Sequence, residues 1–90
     1  MDQNNDKVMY DYADKFINLA NEMAKSDRSG YVGVAIRFAA SRYCAYEASL
    51  QTSNLAEDKD KHLQAFVDTF TEMLRINLED YIKIQSQKQG

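Results

Sequence analysis

The sequence predicts an all-α fold: a three-helix bundle with a central, mostly apolar second helix and a long third helix. Three observations carry this. Proline is absent and glycine occurs three times in 90 residues, and these two residues are the strongest helix breakers. Apolar residues recur at steps of three and four in three separate stretches, the spacing of a helix face. Two short polar segments divide those stretches and read as turns. Ninety residues make one domain, expected over residues 6–84 with a disordered N-terminus at 1–5 and a frayed tail at 85–90.

The first helix is predicted over about residues 6–25. Asn5 or Asp6 is positioned to cap its first turn. Val8, Met9, Tyr12, Ala13, Phe16, Leu19, Ala20, Met23 and Ala24 form one apolar stripe, opposite Asp11, Asp14, Lys15, Asn18, Asn21, Glu22 and Lys25. Lys7 and Asp11, four residues apart, can pair for about 0.2–0.5 kcal/mol. In the following segment, residues 25–30, Gly30 can turn left-handed and Asp27 or Ser29 can cap the next helix.

The second helix is predicted over residues 31–51. Its charged residues are Arg37, Arg42 and Glu47. Polar and small residues fall on one narrow stripe comprising Gly33, Arg37, Ser41, Cys44, Glu47, Ala48 and Gln51, and the rest of its surface is mostly apolar. A helix of that kind is expected to lie between its neighbours.

Asn54 with Glu57 resembles a capping box and opens the third helix, predicted over about 55–83. Its stripe is Leu63, Phe66, Val67, Phe70, Met73, Leu74, Leu78 and Tyr81. At 1.5 Å per residue this helix is about 43 Å long, against about 30 Å for the other two. Its far end therefore outruns the bundle while still carrying Leu78, Tyr81, Ile82 and Ile84. Either it bends over the bundle or it buries those side chains in a second subunit, most commonly in a two-fold dimer.

Composition excludes several function classes. The net charge is −3 and no segment is a basic arm, so nucleic-acid binding is not expected. No run of about 18 apolar residues is present, so no membrane span is expected. The start of the chain has no secretory signal pattern. One cysteine, Cys44, closes no intrachain disulfide, which fits a reducing, cytoplasmic setting. For a mass of 10.4 kDa, surface scaling gives about 5,400 Å² exposed when folded and about 15,000 Å² unfolded. That is room for one core but not for a deep, dry cleft as well.

No catalytic motif is readable. The chain has no GxSxG, no GxxxxGK[ST] and no GxGxxG. His62 is the only histidine. Paired with Asp58 it supplies two of the three or four ligands that a zinc site needs, so no metal and no cofactor is expected. Cys44 has neither a CxxC partner nor a nearby histidine, and reads as a packing residue.

Arg42 is the most informative position, because the helical wheel places it among Tyr31, Ala35, Phe38 and Tyr46. A guanidinium inside an apolar surface must be paired or must snorkel outward. It reads as a buried salt bridge to Asp14, Glu22, Asp68 or Glu72, or else as an anion-binding site shared with Tyr43 and Tyr46. Asn77 interrupts the third stripe. It either sets helix register or oligomer state, or bonds a local carbonyl. With Leu78, Tyr81 and Ile82 it forms the candidate interface.

Three stretches carry a resemblance to a known family: YDYADKFINLAN at 10–21, FAASRY at 38–43 and FTEMLRINLEDY at 70–81. Together they resemble the proteobacterial proteins grouped as domain of unknown function 3144. The resemblance implies a bacterial, cytoplasmic, helical protein and transfers no activity and no site residues. The expected function is therefore a non-enzymatic interaction or structural module, its partner either another protein or a second copy bound through the apolar end of helix three. The alternative is a small-molecule or anion binder centred on Arg42 and the tyrosines.

Overall fold

In a computed structural model, which describes residues 3–89, the chain forms three α-helices joined by two short turns. They are α1 (Gln3–Ala24), α2 (Tyr31–Gln51) and α3 (Leu55–Gln89). No strand occurs among the described residues. The second and third helices begin where the sequence placed them. The ends of the chain differ from expectation. Residues 3–5 are helical, so Asn5 and Asp6 lie inside α1 instead of capping it, and residues 85–89 continue α3. No proline or glycine interrupts α3, and each added residue of a nucleated helix gains one backbone hydrogen bond. Residues 1, 2 and 90, also part of the expected termini, lie outside the described residues.

The α1–α2 turn is built by local polar side chains. Ser29 donates its N–H to Asp27 Oδ1 at 2.9 Å, and Tyr31 donates its N–H to Ser29 Oγ at 3.1 Å. Gly30 has φ +93°, the left-handed region that favours glycine. These bonds from Ser29 hold the Asp27 carboxyl below its ordinary value of 3.8. They stabilise the charged form.

The α2–α3 turn carries the capping box in a modified form. Glu57 donates its N–H to Asn54 Oδ1 at 3.3 Å, as an N-cap requires. The return bond comes from the Asn54 side-chain amide to Glu57 Oε2 at 2.9 Å. The Asn54 backbone N–H goes instead to Thr52 Oγ1 at 3.1 Å. Thr52 in turn donates to Asp58 Oδ2 at 2.6 Å.

Two compact units divide the chain, Met1–Tyr43 and Cys44–Gly90. In the first, the residues partly withdrawn from solvent include Ala13, Ala20, Ala24, Val32 and Gly33. In the second they are Cys44, Ala48, Thr52, Leu55, Asp58, His62 and Phe66. Ala48, 4 % exposed, is the only fully buried residue among those described.

This burial departs from the expected use of α2, and on α1 it takes in only the small members of the expected stripe. On α2 the narrow small-residue stripe (Gly33, Cys44 and Ala48) is withdrawn, while Tyr31, Val34, Phe38 and Tyr46 are exposed. On α1 the alanine face is withdrawn, while Val8, Met9, Tyr12, Phe16, Leu19 and Met23 stay exposed.

Candidate interaction surface

The most distinctive surface lies on α3. Every residue from 67 to 88 is exposed. Its sequence is not that of a solvated helix. Val67, Phe70, Met73, Leu74, Ile76, Leu78, Tyr81, Ile82 and Ile84 are all large, apolar and exposed. Isolated helices draw little stability from propensity alone and depend on packing an apolar face. A contiguous apolar face of this size marks an interaction site.

Four of these residues, Phe70, Leu74, Leu78 and Ile82, recur every fourth position and share one line along the helix. With Thr71, Arg75 and Glu79 they line a shallow open groove. Its rim is polar. Arg75 is paired with Glu72 one turn earlier, whereas Glu79 makes no ion pair among the described residues. Asp68, near the start of the segment, accepts a bond from Gln64 Nε2 at 2.8 Å. Thr71 donates its hydroxyl to the Val67 carbonyl at 2.7 Å, so its polar atom is satisfied within the helix and its methyl is free to pack.

Of the residues singled out in the sequence, Leu78, Tyr81 and Ile82 all belong to this exposed segment, and Leu78 and Ile82 line the groove. Asn77 is exposed, and its amide donates to the Met73 carbonyl at 2.9 Å. The sequence reading did not single out Phe70, Leu74 and Glu79 as interface residues. The four-residue spacing from 70 to 82 was the signal that identifies them.

Arg42 stands elsewhere. It is exposed and forms no ion pair among the described residues, so it is not the buried charge that the sequence led us to expect. The reason is the inversion of α2: its Tyr31–Phe38–Arg42–Tyr46 face points away from the small-residue contact, and Tyr31 and Phe38 are 73 % and 66 % exposed. Tyr43 and Tyr46 are exposed too.

The other candidate chemical groups are dispersed. His62 is partly withdrawn, and the Asp58 carboxylate accepts the Thr52 hydroxyl. No three of the His, Cys, Asp and Glu residues described gather to hold a metal ion. Cys44 is a free thiol on the withdrawn face of α2. No described helix is long and apolar enough to cross a membrane.

No curated protein and no solved structure matches the chain. One family does match, over residues 9–82, a span that takes in α2 whole and the α3 groove. The chain therefore belongs to the family described as protein of unknown function (DUF3144).

Proposed function

We propose that this chain is a non-enzymatic interaction module whose working surface is the apolar face of α3 between Val67 and Ile84. One observation carries the reading: a helical segment exposed on all sides carries a continuous row of large apolar side chains. A surface of that kind lowers its free energy by covering itself, at about 25 cal/mol for each Å² of apolar area removed from water. The seven lining residues belong to one helix, apolar in Phe70, Leu74, Leu78 and Ile82 and polar in Thr71, Arg75 and Glu79, the pattern of an amphipathic helix that docks on a partner. Catalysis is a poor fit, because no catalytic motif is readable in the sequence and no three of the described His, Cys, Asp and Glu residues gather to hold a metal ion. The lone cysteine suits a reducing, cytoplasmic setting.

The test is photo-crosslinking in the producing cell. A photoreactive amino acid replacing Leu78, inside the groove, should give discrete protein adducts. One replacing Lys83, off the groove, should give few. Equal yields from both positions, or none from either, would remove the basis for the reading.

A further inference from the structure

We draw no further inference here: the strongest candidate, the apolar face of α3 between Val67 and Ile84, carries nothing beyond the reading above, because nothing in the structure shows what covers it.

Discussion

Thr52 and Asp58, six residues apart, are joined by a 2.6 Å hydrogen bond from the threonine hydroxyl to Asp58 Oδ2. Thr52 Oγ1 also accepts the Asn54 N–H at 3.1 Å. Thr52 thus satisfies one group before α3 and one in its first turns, and both Thr52 and Asp58 are partly withdrawn from water. Replacing Thr52 by valine keeps the shape and removes both bonds. The expected cost is about 1–2 kcal/mol, since the Asn54 N–H and the Asp58 carboxylate lose a partner together. Urea unfolding at fixed protein concentration checks it, with Thr52→Ser retaining most of the stability.

Asn54 caps α3 through the Glu57 N–H and also reaches the Glu57 carboxylate. Asn54→Ala should cost about 1 kcal/mol, the usual worth of an N-cap. Glu57→Ala should cost less. The double variant should lose less than the two single losses added together, because both residues belong to one hydrogen-bonded box. A double-mutant cycle by thermal melting reads this coupling directly.

Two glycines should respond in opposite directions to alanine. Gly30 holds φ +93° in the turn, so Gly30→Ala should destabilise by about 1–2 kcal/mol even though its Cβ would meet open space. Gly33 is helical, and a Cβ there would meet only the Arg37 guanidinium at 3.5 Å, an ordinary contact with a flexible side chain. Gly33→Ala should therefore stabilise by about 0.5–1 kcal/mol through helix propensity. Denaturant midpoints of the two variants against the parent chain test both signs at once.

Asp27 gives the α1–α2 turn a pH dependence. Its carboxyl is held below 3.8 by the bonds from Ser29. A depressed folded-state value means the contribution is fully present above the unfolded value, about 3.9, and is lost as pH falls through the lower folded value. The stability gap between the parent and Asp27→Ala should accordingly be constant from neutral pH down to about 5 and narrow at more acid pH. Urea midpoints at several pH values measure it, and a gap that widens in acid would contradict the assigned bonds.

Much of the helix plan was legible because its causes are local. Gly30, Ser29 and Asp27 specify one turn and Asn54 with Glu57 the other, and each acts within a few residues of itself. The candidate surface was partly legible. Leu78, Tyr81 and Ile82 were readable as apolar groups beyond the reach of shorter neighbours. The groove residues Phe70 and Leu74 were read as core, because periodicity identifies an apolar face without identifying what covers it. The ends of α1 and α3 were missed because an apolar stripe stops before the backbone does.

The sequence by itself determined three helices, their two turns and their amphipathic faces, since these follow from residue spacing and side-chain-to-backbone bonds at short range. Only the tertiary structure decided which face of each helix is used within the chain. It withdrew Ala13, Ala20 and Ala24 on α1 and Gly33, Cys44 and Ala48 on α2, and left Phe16, Phe38, Leu74 and Arg42 exposed. That choice depends on contacts between residues far apart in the chain, and no local pattern encodes it.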